Sequence, residues 1–295
     1  MAALVAGAAG AQTLRIWGSA QMTELTENWE RGFAKAHPQI HFENHMYGAV
    51  SAIPGLYTGV ADIAISREIW PIEEQAFEQV TGHKVTAFEV ATGSFDFPTK
   101  SSALHIFVHK DNPFRELTVQ QLGRIFGWGG DVLSWKDLGG GADKPIHAYG
   151  YKIDNAGAML FASLVMHGSL QWSCGFQGFG NQALADGKRI DAGQRILDAL
   201  ARDPWGIAIS NIHYARPEVK AIAIGGSAPS LKTTQDRSYP LTRSVYVFVN
   251  GPIGASVKDF LRYILSMPGQ RDVERERAYL PLPSQVLAAQ IKLLN

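Results

Sequence analysis

Three turns built mainly from small residues stand immediately before predicted helices in this 295-residue sequence. They are the segments Gly18–Met22, Gly48–Ser51 and Asp154–Ala158. The first turn of a helix presents backbone N–H groups that have no intrahelical partner, and the helix dipole adds partial positive charge there. Small side chains let an anion approach those N–H groups closely. The pattern therefore predicts that these turns can hold a small oxyanion.

Polar side chains lie in or beside these turns, and a further candidate, Arg67, follows a predicted strand. Ser19 and Ser51 are candidate hydroxyl donors, and their ordinary structural roles are a turn serine and a helix N-cap respectively. Arg67 follows the predicted strand Asp62–Ser66, and its guanidinium donates in a fork that suits carboxylate, sulfate or phosphate oxygens. A surface salt bridge is the alternative role for Arg67. The predicted ligand-binding set is Gly18, Ser19, Ala20, Ser51, Arg67, Lys152, Asn155 and Ala156.

Other site chemistries are not supported by the residue pattern. His37, His41 and His45 recur every four residues, but Pro38 and an alternating apolar pattern indicate a strand, so they form no helical metal-binding face. The sequence contains no Gly-x-Ser-x-Gly elbow and no Gly-rich loop ending in Gly-Lys-Ser/Thr. The single cysteine, Cys174, excludes an intrachain disulfide and is interpreted as a buried structural thiol. We therefore expect a binding protein, with no enzymatic activity, metal or cofactor.

The charge balance restricts the possible partners. Lys and Arg together number 27, as do Asp and Glu, so the formal net charge is zero. Such a chain has no general attraction for nucleic acid or an anionic membrane, and any anion must be held by a local site. An apolar fraction of 46% and a charged fraction of 18% are typical of a globular protein, and the length suffices for two lobes.

The N-terminal residues 1–12 differ in composition from the rest. Ala2–Ala11 is a short run of Ala, Gly, Leu and Val that ends in Ala9-Gly10-Ala11, a small-x-small pattern that signal peptidase accepts. It lacks the usual basic region, so we interpret it as a signal-peptide remnant cleaved near Ala11; an Ala/Gly tail is the alternative. The first interpretation predicts export to the periplasm.

Strands and helices alternate along the rest of the chain. Leu25, Trp29 and Phe33 recur every four residues and predict a helix over Thr23–Ala36, between short strands. A second series begins with the buried strand Leu104–His109 and includes a helix with Thr118 as its N-cap. The alternation predicts an α/β fold with mainly parallel sheets.

Motifs in the sequence, taken in order, resemble the PstS-type phosphate-binding proteins, which have the type II periplasmic binding fold. The motifs are Gly59-x-x-Asp62-Ile63-Ala64-x-Ser66-Arg67, Asp111-Asn112-Pro113, Leu117-Thr118-x-x-Gln121-Leu122-x-x-Ile125-Phe126, Trp135-x-Asp137-Leu138-Gly139-Gly140, Ser238-Tyr239-Pro240-Leu241-Thr242-Arg243, Phe260–Ser266 with Gly269-Gln270, and Tyr279-Leu280-Pro281-Leu282. The resemblance runs from about Leu14 to Leu282.

The resemblance implies two lobes, each a mixed sheet flanked by helices, joined by hinge strands. Lobe 1 would comprise residues 13–100 with 225–295, and lobe 2 residues 101–224. It also implies that a small oxyanion, phosphate or a related anion, is captured between the lobes. The expected partner is an ABC permease in the inner membrane, and the expected state is a monomer. The alternative is a degenerate binding module of the same fold, acting as a sensor, scavenger or adaptor with an altered ligand.

The third turn departs from the family pattern of an arginine followed by Ser-Gly-Thr. Tyr151 stands at the arginine position, Lys152 offers a point charge in its place, and Asn155 replaces the serine as N-cap. Each lost charge-assisted contact is worth roughly 1.5–3 kcal/mol, so we expect altered specificity. Arg67 likewise stands where phosphate-specific members carry an acid. Tyr149, Tyr151 and the aromatic segment Trp172–Phe179 belong either to an aromatic cleft or to the core.

Overall fold

A computed structural model describes residues 12–97, 103–139 and 142–294. The predicted signal-peptide remnant Ala2–Ala11 lies outside these residues. The chain divides into two compact units: unit 1 contains residues 12–92 and 244–294, and unit 2 contains residues 93–243. The chain therefore passes between the units twice, after Thr92 and after Arg243.

Unit 1 is built on a five-stranded mixed sheet in the order β2-β1-β3-β14-β4. The strands are β1 (Gln12–Gly18), β2 (Ile40–His45), β3 (Ile63–Ser66), β4 (Thr86–Thr92) and β14 (Ser244–Val249). β1 pairs in parallel with β2 and β3, whereas β14 is antiparallel to both β3 and β4. The carboxyl ends of β1, β2 and β3 consequently lie at the same edge of the sheet.

Helices cover this sheet, and their buried faces follow the sequence pattern. They are α1 (Thr23–Phe33), α2 (Ala49–Tyr57), α3 (Pro71–Thr81), α8 (Ala255–Ile264), α9 (Met267–Glu276) and α10 (Ser284–Leu294). α1 buries Leu25, Trp29 and Phe33, as their four-residue spacing predicts. The Trp29 indole also donates to the carbonyl of Gly269 (2.9 Å), which fastens α1 to α9.

Unit 2 contains a second five-stranded mixed sheet, in the order β12-β5-β11-β7-β8. The strands of this sheet are β5 (His105–His109), β7 (His147–Tyr151), β8 (Gln177–Phe179), β11 (Gly206–Ser210) and β12 (Val219–Ala221). Unit 2 also has two two-stranded sheets, one of β9 (Gln182–Ala183) with β10 (Arg189–Ile190) and one of β6 (Glu116–Leu117) with β13 (Ala223–Ile224). Its helices are α4 (Val119–Phe126), α5 (Ala156–Val165), α6 (Ala192–Leu200) and α7 (Leu231–Gln235). Thr118 caps α4 as predicted, because its side-chain oxygen accepts from the Gln121 N–H (3.1 Å). The predicted α/β class is confirmed.

The second passage between the units falls later in the chain than the predicted boundary at 224/225. Tyr239 and Leu241 are buried in the core of unit 2, and the Leu104 N–H donates to the Leu241 carbonyl (2.9 Å). β14 begins only at Ser244, which pairs with Thr92. Residues 225–243 therefore belong with unit 2, because their apolar side chains complete its core.

Two further findings concern the exposure of Cys174 and the length of the helices. Cys174 is exposed, so the interpretation of this residue as a buried thiol is wrong. Among the residues that the structure describes, no helix has both the length and the apolar character needed to cross a membrane.

Candidate anion-binding site

The N-terminus of α2 lies at the carboxyl ends of the parallel strands of unit 1. Gly48 precedes the helix with a φ of 126°, which favours glycine, and its N–H donates to the Gly18 carbonyl at the end of β1 (3.0 Å). The Ser51 N–H donates to the Gly48 carbonyl (3.0 Å). Within the described residues, the N–H groups of Ala49 and Val50 have no acceptor. These two donors can bind an anion, and the helix dipole favours negative charge there.

The Ser51 hydroxyl already has a partner within this turn. It donates to the Gly48 carbonyl (2.7 Å), and Ser51 is the third residue of α2, whereas Gly48 is the N-cap. The alternative role as an N-cap is therefore wrong for Ser51. Its predicted contact with a ligand stays a prediction, and it would require the hydroxyl to turn away from Gly48.

Ser66 lies at the same corner of unit 1. It is the last residue of β3 and only 3% exposed, and its hydroxyl has no hydrogen-bond partner among the described residues. Side chains alternate between faces along a strand, so Ser66 shares the face of Ala64, which belongs to one apolar cluster with Ala52 of α2. Ile65 pairs with Gly18, whose carbonyl binds Gly48. Ser66 therefore stands beside the N-terminus of α2.

The turn after β1 is closed by its own hydrogen bonds. The Ser19 N–H donates to the Ile65 carbonyl (3.0 Å), and the Ser19 hydroxyl accepts from the Gln21 N–H (3.4 Å). Gly18 is required because a Cβ there would lie 2.4 Å from the Ile65 oxygen. Ala20 is exposed. The turn thus shapes the corner, and ligand contacts from Gly18, Ser19 and Ala20 remain predictions.

Arg67 is engaged in a buried ion pair inside unit 1. Its two terminal nitrogens contact the two carboxylate oxygens of Glu73 (3.0 and 3.1 Å), with the side chains 7% and 15% exposed. The guanidinium also lies over the Trp70 ring (3.8 Å), and it contacts the Glu68 carbonyl. Glu73 in turn accepts from the Trp70 N–H (2.9 Å) at the start of α3. The predicted fork is therefore occupied by Glu73, and the alternative of an exposed salt bridge is corrected to a buried one.

The third predicted turn belongs to unit 2, and it forms the capped N-terminus of α5. The Asn155 side chain accepts from the Gly157 N–H (2.8 Å), which confirms its prediction as the N-cap of α5. Lys152 and Ala156 are both exposed. The Lys152 N–H donates to the Phe179 carbonyl (3.0 Å). Binding of an anion by Lys152, Asn155 and Ala156 stays a prediction.

The aromatic residues of unit 2 belong to its core. Tyr149, Tyr151 and Trp172 are each less than 10% exposed and share one apolar cluster. The Tyr149 hydroxyl donates to the Asp203 carboxylate (2.8 Å), and burial together with this carboxylate raises the pKa of Tyr149 to about 12. His147 contacts the same Asp203 oxygen through Nδ1 (2.6 Å). The core alternative is thus the one that the structure supports.

The described part of the chain shows no group of three His, Cys, Asp or Glu residues able to hold a metal ion. His45, the last of the three spaced histidines, ends β2 and contacts Glu43 through Nε2 (2.8 Å) and the Tyr47 hydroxyl through Nδ1 (3.0 Å). These contacts place the ring in a surface network beside Trp17 (5.1 Å between ring centroids).

The fold is that of periplasmic solute-binding proteins, and comparison with known proteins identifies the family. Residues 5–267 match the PBP superfamily domain. Over 304 aligned residues, the chain is 31% identical to the phosphate-binding protein PstS of Pseudomonas aeruginosa, covering 94% of this chain and 85% of that one. The chain belongs to this family of PstS-like substrate-binding proteins. The resemblance found in the sequence motifs is therefore confirmed.

More distant relatives agree in fold. The phosphate-binding protein PstS of Bacillus subtilis is 20% identical, covering 92% of this chain and 81% of the relative. A crystal structure of PstS from Borrelia burgdorferi superposes with a TM-score of 0.68 at 18% identity, covering 92% of this chain and all of that one. An ABC-type phosphate transport receptor from Vibrio cholerae gives a TM-score of 0.65 at 19% identity, with the same coverage.

Proposed function

We propose that this chain is the periplasmic solute-binding component of an ABC transporter and that it captures a small oxyanion, such as phosphate. The relatives named above are phosphate-binding proteins, and one is an ABC-type transport receptor. The observation that carries the proposal is the corner at α2, where the N–H groups of Ala49 and Val50 and the hydroxyl of Ser66 lack partners among the described residues.

A buried donor without a partner is costly unless a ligand uses it. A buried hydroxyl without a partner costs about 1–3 kcal/mol, so native proteins seldom keep one without a role. Ser66 is such a group, since its side chain is buried and its hydroxyl has no partner among the described residues. An oxyanion accepts several hydrogen bonds at once and would satisfy Ser66 together with the two N–H groups of α2.

The remaining parts of the proposal follow from the family. We expect an inner-membrane permease as the partner, a monomer in solution and no enzymatic activity. Export to the periplasm, with cleavage near Ala11, also belongs to the proposal. A turnover assay with phosphate and carboxylate esters tests the absence of enzymatic activity, because measurable hydrolysis would contradict it.

The direct test is thermal unfolding of the chain from Gln12 in phosphate, sulfate, molybdate, nitrate and small carboxylates, with chloride at equal ionic strength as the reference. A ligand at about 100 times its Kd adds roughly 2.7 kcal/mol, which raises Tm by several degrees. We expect a rise with at least one oxyanion and a smaller rise for Ser66→Ala. The proposal is contradicted if no anion changes Tm.

A degenerate binding module is the second candidate, and two observations favour it. The guanidinium of Arg67 is neutralised by Glu73, and Tyr151 at the expected arginine position is buried in the core of unit 2. An unchanged Tm with every anion, in a chain that folds cooperatively, would support this candidate.

A further inference from the structure

A carboxylate two residues after Ser66, that of Glu68, also has no hydrogen-bond partner among the described residues. Both side-chain oxygens of Glu68 are shielded from solvent and accept no hydrogen bond from any described residue. Glu68 follows Ser66 by two residues, so their Cα atoms are at most about 7 Å apart. An unused donor and an unused acceptor are therefore carried by nearby backbone positions of unit 1.

The local charge balance is negative. Arg67 is the cation of this segment, and its guanidinium is paired with Glu73 at 3.0 and 3.1 Å. The charge of Glu68 is consequently left without compensation in the segment Ser66–Glu73, which carries one positive and two negative side chains. A shielded carboxylate is stabilised by an opposite charge within hydrogen-bond distance and destabilised by another anion.

These facts restrict the solute. Hydrogen phosphate at the α2 corner would satisfy Ala49, Val50 and Ser66 and would donate its one P–OH to Glu68, but its net charge of about −2 would remain beside that carboxylate. A molecule that carries an ammonium group a few bonds from its oxyanion would satisfy both sets of groups. Its net charge would be smaller, which suits a segment in which the charge of Glu68 is not compensated.

We propose that the solute is a small zwitterion, with its oxyanion on the N-terminus of α2 and on Ser66 and its ammonium group on the carboxylate of Glu68. This inference rests on the proposed function, since it assumes that the α2 corner binds an oxyanion. It adds the substrate class, an amino-substituted phosphonate, sulfonate or carboxylate, and it makes Glu68 the residue that determines specificity.

The test is isothermal titration calorimetry of the whole chain with two matched probes and inorganic phosphate. The probes are 2-aminoethylphosphonate and propylphosphonate, in which a methyl group replaces the ammonium. One charge-assisted hydrogen bond corresponds to a factor of about 10–100 in affinity, so the amino compound should bind at least about tenfold more tightly. Glu68→Gln should reduce that ratio to nearly one.

Glu74→Gln is the matched control, because the side chain of Glu74 is 39% exposed and pairs with Lys84 (3.5 Å). It should keep the wild-type ratio, and the Tm of each variant reports whether it is folded. Equal or tighter binding of propylphosphonate by the wild type overturns the inference without any variant. So does a ratio that Glu68→Gln leaves unchanged. Binding of phosphate and propylphosphonate without preference for the amino compound refutes only the zwitterion. No binding of any probe refutes the zwitterion too, and it refutes the proposed function as well when no anion of the thermal-unfolding series changes Tm.

Discussion

The buried pair of Arg67 and Glu73 permits a sharp test of what this arginine does. Glu73→Gln removes one charge and leaves the guanidinium shielded, while the amide oxygen can still accept from the Trp70 N–H. Removing one partner of a buried pair costs about 3–5 kcal/mol. Because the contact with the Trp70 N–H is retained, we expect a loss of unfolding free energy near the lower end, about 3 kcal/mol. At about 2–4 °C per kcal/mol, Tm should fall by roughly 6–12 °C.

Thermal and urea unfolding of two further variants separate the pair from a general effect of charge. Glu74→Gln removes a neighbouring acid whose exposed partner is Lys84, so it should cost about 0–1 kcal/mol. The double variant Arg67→Met, Glu73→Leu removes both charges and should be more stable than Glu73→Gln. If Glu73→Gln costs no more than Glu74→Gln, Arg67 is not held by Glu73, and its predicted role as a ligand donor regains support.

Three further predictions concern other buried groups. Gly18→Ala should cost about 1–3 kcal/mol because the new Cβ meets a carbonyl oxygen at 2.4 Å, whereas Gly175→Ala enters open space and should be nearly neutral in urea unfolding. Gln270→Met should cost about 3 kcal/mol or more, because the buried amide makes three hydrogen bonds to the backbone; a loss below 1 kcal/mol would contradict this. Burial lowers the pKa of His105 to about 3. Stability should therefore fall by roughly 1.4 kcal/mol per pH unit below about 6.5, and His105→Asn should show a smaller loss from pH 7 to 5.

The sequence predicts a helix or strand well where the apolar residues follow a single period. Leu25, Trp29 and Phe33 define α1 because a single face of a helix carries its burial, and Thr118 and Asn155 are strong capping residues in local sequence contexts. Helix periodicity and capping depend on residues that are close in the chain, so a single segment is enough to predict them. The fold class follows from their alternation, and the motif order adds the family.

The site is less accessible to such reasoning because its contacts join distant segments. The residues around Arg67 in the sequence give no sign that its guanidinium pairs with Glu73. Glu73 lies in a pattern typical of a solvated helix face, yet its carboxylate is largely buried against Arg67. Ser66 carries only a weak signal, a polar residue that ends an apolar strand. Its unused hydroxyl becomes evident only once β3 and α2 are packed together.

The most direct test of the central claim is a titration followed by amide NMR. Phosphate and 2-aminoethylphosphonate would each be added to ¹⁵N-labelled protein while the N–H signals of Ala49 and Val50 are followed, with those of Ser256 and Val257 at the N-terminus of α8 as the internal control. If α2 holds the oxyanion, the Ala49 and Val50 signals shift in a saturable manner with at least one of the two compounds, and the α8 signals do not. Saturable binding that leaves Ala49 and Val50 unshifted, or shifts α8 equally, would contradict the account.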